Sequence, residues 1–286
     1  MPRASRDGVS IFYEREGEGD PVVLIQGLSF GRWMWRWQRE ALRGEYEVIA
    51  PDNRGTGRSD DGLSRLVKGL PGRLRTPVIF KLAGYSVAGL AADLEAVLAD
   101  AGLHGVHLVG ASLGGMIAQR YAIEYGRART LSLLCTTPGG PDAVPMPEGT
   151  VETIYGVPRG VSERERLRRR MRPAFGERFT NRNPHLMDRI VEWRLEQDAE
   201  EPARTAQAAA GASFDASEEL GRLRVPTLIV HGTDDRVVPV GNAHLLAERL
   251  PNARLEIVDG GSHCLFVEHA DRVNAALLEF LGEHAR

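Results

Sequence analysis

The sequence predicts an α/β protein with a mostly parallel sheet flanked by helices. Short apolar runs alternate with segments of helical spacing along most of the chain, and several of these runs are apolar throughout, as in strands covered on both faces. The alternation stops between residues 139 and 214, where the chain becomes helical and charged. We therefore expect a core made of residues 1–138 and 215–286, and a helical cap made of residues 139–214 inserted between two strands.

Seven segments predict strands and three predict helices between them. The first strand alternates only loosely between apolar and polar residues and is expected at an edge of the sheet. The last two strands are each followed by a further helix. The predicted strands are Val9–Glu14, Val22–Ile25, Tyr46–Ala50, Val106–Val109, Thr130–Cys135, Thr227–His231 and Arg254–Val258, and the predicted helices are Trp33–Leu42, Val87–Ala101 and Gly115–Ala122.

The composition is that of an ordinary globular protein. The chain has 286 residues, of which 42% are hydrophobic and 26% charged, and its formal net charge is −3, which leaves no nucleic-acid footprint. The N-terminus lacks a signal-peptide core, and no apolar run reaches the length of a membrane span. We expect a cytoplasmic monomer or homodimer without nucleic-acid or membrane partners, in which Cys135 and Cys264 are free thiols.

Two segments interrupt the alternation and carry many cations. Leu63–Leu82 lies between a glycine-rich loop and the next helix, and is expected to be either a disordered loop or an extra piece of lid. Arg164–Arg172 lies in the predicted cap. It is expected to form the solvated face of a helix, with binding to nucleic acid or another anionic surface as the alternative.

The segment Gly110–Gly114 is the most informative in the chain. It places Ser112 between a predicted strand and a predicted helix, with glycines two residues before and two residues after it. Glycine removes the side chains that would clash in so sharp a turn, and the following helix points its positive end at the hydroxyl. This arrangement is typical of the nucleophile of a hydrolase.

A nucleophilic serine needs a base, and the base needs an acid to orient it. His263 follows the last predicted strand by a short glycine-containing loop, at the edge of the sheet where open α/β folds bind ligands, and is the expected base. His107 is expected in the core, and His231 in the core or at its rim.

Asp234 and Asp235 compete for the acid role, since both follow the strand that ends at His231. Their side chains point in different directions, so at most one should face the imidazole. The alternatives are a turn without a catalytic role and a metal site, although clustered histidine or cysteine ligands at suitable spacing are lacking.

The order serine, acid, histidine is that of the α/β-hydrolase superfamily, and the chain resembles its members that carry a helical cap. The resemblance covers roughly residues 8–138 and 215–286. It implies that Ser112 is the nucleophile, that Asp235 rather than Asp234 is the acid, and that His263 is the base. The motifs that carry it are Gly110–Gly115, the set Gly232, Asp235 and Pro239, the set Gly261–His263 with Glu268, and the ion-paired loop Asp52–Asp60.

The sequence departs from the superfamily where the oxyanion hole is expected. Members usually carry histidine and glycine after the third strand, whereas this chain has Gln26 and Gly27. The donor is a backbone N–H, which does not depend on the side chain before the glycine. The resemblance therefore assigns the two donors to the amides of Leu28 and Leu113, and it implies no cofactor and no metal.

Three of the four tryptophans lie close to this loop. Trp33 and Trp37 share a helical face and are expected to pack in the core. Phe30 and Met34 are candidates for the substrate pocket. Trp193 is expected either to line the roof of the pocket or to pack within the cap.

The resemblance implies a serine hydrolase that cleaves a small-to-medium carboxylic ester or a lactone through an acyl-enzyme on Ser112. A carbon–carbon bond hydrolase or a perhydrolase of the same fold is the first alternative. A hydrolase-like ligand receptor and a scaffold that uses the arginine-rich cap are the others. Haloalkane dehalogenases and epoxide hydrolases are disfavoured, because they carry aspartate at the position of Ser112.

Overall fold

Strands β3 to β8 run parallel to one another in a single sheet. The computed structural model describes residues 2–71, 74, 77–79, 85–156 and 160–285. The strand order is β1-β2-β4-β3-β5-β6-β7-β8, with β1 and β2 antiparallel to their neighbours, so the predicted α/β class with a mostly parallel sheet is confirmed. The strands are β1 Arg3–Arg6, β2 Val9–Glu16, β3 Asp20–Ile25, β4 Tyr46–Pro51, β5 Val106–Ala111, β6 Ala128–Leu134, β7 Thr227–Gly232 and β8 Ala253–Val258.

The prediction that Val9–Glu14 lies at the edge of the sheet is wrong. β2 pairs with β4 on one side and with β1 on the other, where Ala4 lies opposite Ile11. β1 has the sequence Arg-Ala-Ser-Arg, and only Ala4 in it is fully buried. With one buried apolar side chain in four residues, β1 shows no alternation in its sequence. It forms nevertheless, because an edge strand needs only backbone pairing.

Helices cover both faces of the sheet. Val23 and Ile25 of β3 pack into one apolar cluster, and Val22 and Leu24 into the other. Strands buried on both faces account for the uninterrupted apolar runs. The helices are α1 Arg36–Leu42, α2 Arg65–Gly69, α3 Val87–Asp100, α4 Leu113–Tyr125, α5 Glu148–Tyr155, α6 Glu163–Met171, α7 Glu177–Arg182, α8 Pro184–Gln197, α9 Glu201–Ala212, α10 Gly241–Arg249, α11 Leu265–Glu268 and α12 Ala270–Gly282, with 3₁₀ turns at Arg32–Trp35, Arg172–Ala174 and Leu220–Arg222.

The segment between β6 and β7 is helical over the residues that the structure describes, from α5 to α9. An isolated bridge between Gly139 and Asp215 joins its two ends. α8 and α9 attach to the core through backbone bonds, since Ala199 N–H donates to Ser29 and Gly57 N–H donates to Gln197. The helical content is as expected, and a separate cap with the boundaries 139–214 stays a prediction.

Leu63–Leu82 falls partly outside the described residues. In the part that the structure describes, α2 begins at a serine cap, where Ser64 accepts a hydrogen bond from Val67 N–H. Ile79 is buried and packs against Leu63 and against Ala206 of α9. This part of the insertion therefore contacts the helices between β6 and β7.

The loop Asp52–Asp60 is ion-paired, as its sequence suggests. Arg32 forms an ion pair with the buried carboxylate of Asp52, which also accepts the N–H of Arg58 at 2.8 Å. Asp93 of α3 accepts two hydrogen bonds from Arg54, at 2.6 and 2.8 Å. These pairs join the loop to the 3₁₀ turn at Arg32 and to α3.

Cys135 and Cys264 are both buried and both free, in agreement with the prediction. Among the described residues, none of the helices combines the length and the apolar character that a membrane span requires.

Candidate active site

Ser112 lies in the turn between β5 and α4. Its backbone has φ 54° and ψ −119°, a conformation that costs a residue other than glycine on the order of 1–3 kcal/mol. A Cβ atom on Gly110 would come within 2.3 Å of the Gly114 carbonyl oxygen, and one on Gly114 within 2.0 Å of the Ile25 carbonyl oxygen. Only glycine fits at either position, so the two glycines allow the strained turn that presents the serine.

The loops after β7 and β8 pack tightly against each other. A Cβ atom on Gly232 would lie 2.0 Å from the carbonyl oxygen of Gly261, so this approach also requires glycine. The same carbonyl accepts the N–H of Asp234 at 2.9 Å, and the Thr233 hydroxyl accepts the N–H of Gly260 at 2.8 Å. This contact brings the loop that carries Asp235 to the loop that carries His263.

Of the two competing carboxylates, Asp235 meets the imidazole. Asp234 is exposed, whereas Asp235 is buried and its Oδ2 lies 2.8 Å from Nδ1 of His263. A carboxylate only accepts, so Nδ1 carries the proton and a neutral imidazole keeps its lone pair on Nε2. The other oxygen of Asp235 accepts the N–H groups of Val237 and Val238, each at 2.8 Å, which fixes the orientation of the carboxylate.

His231 is a second imidazole at the same carboxylate. Its Nε2 lies 2.8 Å from the carbonyl oxygen of Val238 and 3.3 Å from Oδ2 of Asp235, and both of these oxygens are acceptors. Burial by itself would raise the pKa of the Asp235 carboxyl, but the charge and hydrogen bonds of His263 and His231 outweigh it, and the pKa lies well below its usual range. Asp235 therefore stays ionised in the interior. The sequence located His231 in the core or at its rim without linking it to Asp235.

Ser112 and His263 form part of the wall of one cavity of about 570 Å³. The cavity lies between the sheet and the helices α5 to α9, and most of its lining is apolar. Within the described residues, the side chain of Ser112 has no hydrogen-bond partner. Ser112 and His263 thus come from separate segments to the same cavity, and Asp235, from a third segment, is hydrogen-bonded to the imidazole.

Leu28 and Leu113 line the same cavity. Leu113 is the first residue of α4, so its N–H has no partner inside the helix. Leu28 follows Gly27, where an added Cβ atom would lie 3.4 Å from Cβ of Ser112, so this loop passes directly beside the serine. Two backbone segments therefore converge on the space next to Ser112.

Gln26 supports this loop from behind. Its side-chain amide donates to the carbonyl oxygen of Pro51 at 2.5 Å, and its backbone carbonyl accepts from Asn53 at 2.9 Å. Gln26 is fully buried and forms these bonds away from the cavity, which it does not line. The departure from histidine therefore affects how the loop is held and leaves the backbone path beside Ser112 in place.

Gln207 of α9 holds the next residue of this loop. Its Oε1 accepts the N–H of Ser29 at 2.7 Å, and its amide donates to the carbonyl oxygen of Arg54 at 2.8 Å. Ser29 has a φ of 69°, so the loop is strained at this point. Sequence reasoning missed Gln207, because a buried glutamine in a helix carries no local signal of what it contacts.

Glu268 and Ser262 hold the loop of His263. The Ser262 hydroxyl donates to Glu268 at 2.5 Å, and the other oxygen of this carboxylate accepts the N–H of Gly176 at 2.6 Å. Cys264 N–H donates to Ala174 at 2.9 Å. The loop of His263 is therefore tied to the segment between α6 and α7.

One group of possible metal ligands stands out in the described part of the chain. The ligand atoms of Cys135, His231 and Asp235 lie within 4.8 Å of one another. All three residues are buried, Asp235 already accepts four N–H groups, and burial raises the pKa of the Cys135 thiol well above its usual value. This set suits a hydrogen-bonded core rather than a cation.

The aromatic residues divide between the cavity and the base of the helical segment. Phe30 and Met34 both line the cavity, so both candidates for the substrate pocket are found there. Trp33 and Trp37 pack as predicted, and their partner is Trp193, with ring centroids 6.2 and 6.4 Å away. Trp193 is absent from the described cavity lining. Its ring contacts Arg189 of its own helix, as packing within the cap predicts, and it also joins α8 to the core.

The arginines of the segment Arg164–Arg172 lie in two different environments. Arg164 and Arg168 form surface ion pairs with acids of α8, as expected of a solvated face. Arg170 instead lines the cavity, together with Arg194 and Arg204. The predicted solvated face is found at Arg164 and Arg168 and does not include Arg170, which lies on the side of α6 that buries Leu167 and Met171.

The comparisons agree with this fold. A model described as the alpha/beta hydrolase family matches residues 22–276. A non-heme chloroperoxidase of Kitasatospora aureofaciens is 31% identical over 294 residues, which are 98% of each chain. A 2-hydroxy-6-oxo-6-phenylhexa-2,4-dienoate hydrolase of Comamonas testosteroni is 28% identical over 95% of this chain and 91% of its own. The solved structure of a thermophilic esterase from Thermogutta terrifontis, with malate bound, superposes with a TM-score of 0.76 at 26% identity and covers 100% of this chain and 99% of that one. The chain belongs to the alpha/beta hydrolase family.

Proposed function

We propose that this hydrolase cleaves a small-to-medium carboxylic ester or a lactone through an acyl-enzyme on Ser112. The observation that carries the proposal is the hydrogen bond between Asp235 and Nδ1 of His263, 2.8 Å long, behind a cavity that Ser112 shares with the same imidazole. This bond sets the tautomer in which Nε2 can accept a proton.

In the proposed reaction, Ser112 attacks the carbonyl carbon of the substrate while Nε2 of His263 takes the hydroxyl proton. The buried carboxylate of Asp235 stabilises the imidazolium that forms. The imidazolium returns its proton to the departing alcohol oxygen. Water then attacks the acyl-enzyme by the same route and releases the acid, with His263 again as base.

The tetrahedral oxyanion would be bound by the backbone N–H groups of Leu28 and Leu113. Support comes from their place in the cavity beside Ser112 and from the position of Leu113 at the start of a helix. In other enzymes the loss of one such donor costs roughly 100- to 1,000-fold in rate. Gln207 would contribute indirectly, by holding Ser29 and with it the loop of Leu28.

The size of the cavity supports the substrate class. A volume of about 570 Å³ suits a ligand of moderate size, and walls formed by Phe30, Met34, Met116 and Phe214 favour an apolar body. We also propose that residues 139–214 act as a cap, which excludes bulk water from the acyl-enzyme.

A screen of 4-nitrophenyl esters of graded chain length, with several lactones, tests the proposal. We expect turnover of one chain-length class and a loss of at least about 10⁴-fold in kcat for Ser112→Ala. A fluorophosphonate probe should label the wild-type protein and leave Ser112→Ala unlabelled. Wild-type rates in the alanine variant would refute the scheme.

The same assays separate the alternatives. A carbon–carbon bond hydrolase should prefer vinylogous diketones to esters, and a perhydrolase should form peracid when hydrogen peroxide competes with water for the acyl-enzyme. A receptor should complete about one turnover and stop. A scaffold that uses the arginine-rich segment should bind its partner in a salt-sensitive way, with or without Ser112.

A further inference from the structure

We propose that Arg170 and Arg204 form a binding site for a carboxylate on the wall of the cavity that the helices α5 to α9 provide. The inference rests on the hydrolase function proposed above and narrows its substrate class. The substrate would be an ester or lactone that carries a free carboxylate away from the carbonyl that Ser112 attacks.

The charges on the cavity wall are the first observation. Among the described residues that line the cavity, Arg170, Arg194 and Arg204 are cationic and none is acidic. Arg194 has a partner, since its Nε donates to Asp198 at 2.6 Å and its guanidinium lies over the ring of Phe30 at 4.5 Å. Two arginines remain on the wall without such compensation.

Arg170 is held in place but is not neutralised. Its side chain is only 13% exposed, and its Nε donates to the carbonyl oxygen of Ile154 at 3.2 Å. One of its terminal nitrogens is buried without a hydrogen-bond partner. The acid nearest to it, Glu163, is 4.0 Å away and lies closer to Arg166, at 3.2 Å. A buried guanidinium with so weak a counter-ion is costly unless something else binds it.

Arg204 is the second cation on this wall. Its guanidinium forms no hydrogen bond and no close ion pair with a described residue; Glu163 and Glu201 attract its charge from a distance, and its charge and that of Arg170 repel each other. Burial, followed by this repulsion, lowers the pKa of Arg170 to about 10, and burial lowers the pKa of Arg204 as well. An anion placed between the two guanidinium groups would relieve both effects.

A carboxylate is the anion that fits this wall best. Its two oxygens match the planar fork of a guanidinium, and its single charge is less costly to bury than that of a phosphate dianion. The neighbouring wall residues Ile154, Ala208 and Phe214 are apolar and would contact the chain that links the carboxylate to the ester.

The test uses pairs of substrates that differ only in their terminal group. Mono-4-nitrophenyl esters of succinate, glutarate and adipate are compared with 4-nitrophenyl butyrate, pentanoate and hexanoate. We expect the wild-type enzyme to favour the acid over the matched neutral ester in kcat/KM at one chain length at least. In Arg170→Gln and Arg204→Gln the ratio of kcat/KM for the acid to kcat/KM for the matched neutral ester should fall at least about tenfold, mainly through the KM of the acid.

Arg168→Gln is the matched control. It changes an arginine on the same helix that pairs with Asp188 at the surface and does not line the cavity. The control should keep the preference of the wild type. A wild-type enzyme without any preference, or a double variant Arg170→Gln/Arg204→Gln that keeps it, overturns the proposal.

A binding measurement makes the site testable apart from the reaction. Calorimetry on Ser112→Ala compares 4-phenylbutyrate, its amide and the matched phosphonate. Tighter binding of the carboxylate, lost when Arg170 and Arg204 become glutamine, supports the site even if no ester is hydrolysed. Binding of the carboxylate that does not depend on the two arginines, or a preference for the phosphonate, contradicts it.

Discussion

Asp235, buried behind the cavity, and Arg170, mostly buried in the cavity wall, are two charges with opposite surroundings. Asp235 is surrounded by donors: the imidazoles of His263 and His231 and the N–H groups of Val237 and Val238. Arg170 has one carbonyl acceptor, a distant acid and a terminal nitrogen without a partner. The first charge is fully compensated by the protein itself and the second is not.

The difference separates a group that acts from a group that binds. A carboxylate held from several sides keeps one position and one charge state through a reaction, which catalysis by preorganised groups requires. A cation without a counter-ion gains favourable interaction energy when an anionic ligand binds beside it. This contrast fits the proposed roles, in which the sheet edge carries out the reaction and the helical part of the cavity wall recognises the substrate.

Removing the charge of the Asp235 carboxylate should have the largest effect, and the effect should be on kcat. In Asp235→Asn, the amide no longer requires a proton on Nδ1 of His263, so we expect kcat to fall on the order of 10⁴-fold with little change in KM. Asp234→Asn is the control, because Asp234 is exposed and adjacent in sequence. Steady-state kinetics on the preferred ester check this. If Asp235→Asn retains more than a tenth of the activity, Asp235 does not orient the base.

His107 of β5 is a buried titratable group that stays uncharged, in contrast to Asp235 and Arg170. It is fully buried beside Thr130, with Nδ1 and the hydroxyl oxygen 2.8 Å apart, and burial lowers its pKa to about 4. Because the unfolded chain binds this proton near pH 6.5 and the folded one near pH 4, stability is present above pH 6.5 and is lost as the pH falls toward 4. We expect a loss of about 3 kcal/mol in the free energy of unfolding from this group.

Urea unfolding at several pH values between 7 and 4 measures this loss. His107→Gln removes the titration and should flatten that part of the pH profile. Equal slopes for the two proteins would show that His107 is not the group responsible.

Trp193 provides the smallest expected effect and tests how α8 is held on the core. Trp193→Ala removes its contacts with Trp33 and Trp37 and with the guanidinium of Arg36, 4.2 Å from the ring centroid. We expect a loss of about 2 kcal/mol in stability, since the ring is half-buried, and a rise in KM larger than the fall in kcat. Leu195→Ala, on the exposed side of the same helix, should change stability by less than about 0.5 kcal/mol.

Thermal unfolding and steady-state kinetics of both variants check this. A Trp193→Ala protein as stable as Leu195→Ala would show that the aromatic contacts do not attach α8 to the core.

The fold could be predicted wherever burial is continuous along the chain. β3 to β7 have mainly apolar runs because both of their faces are covered, whereas β1 lacks such a run because an edge strand needs little more than backbone pairing. The tight turns could be predicted as well. Gly110, Gly114 and Gly232 occupy places where a side chain would collide with backbone, so short-range sterics show in the sequence.

Partners that are distant in sequence could not be predicted in this way. Local pattern does not separate Asp235 from Asp234; the resemblance to the superfamily favours Asp235, and the packing of Gly232 on Gly261 brings its loop to His263. His231 and Gln207 have no local pattern, because their contacts come from other loops. Arg170 belongs to a charged run that is solvated elsewhere, and its inward direction depends on how α6 packs on its neighbours.

The sequence by itself determined the alternation of strands and helices, the strained turn at Ser112 and the identity of the residues available for chemistry. These depend on local sterics and on periodic burial, which act between residues close together in the chain. The tertiary structure alone decided which residues from other segments support Asp235 and His263, and which cations remain unpaired in the cavity. Whether a buried charge is compensated depends on the groups that surround it, and these groups come from segments far apart in sequence.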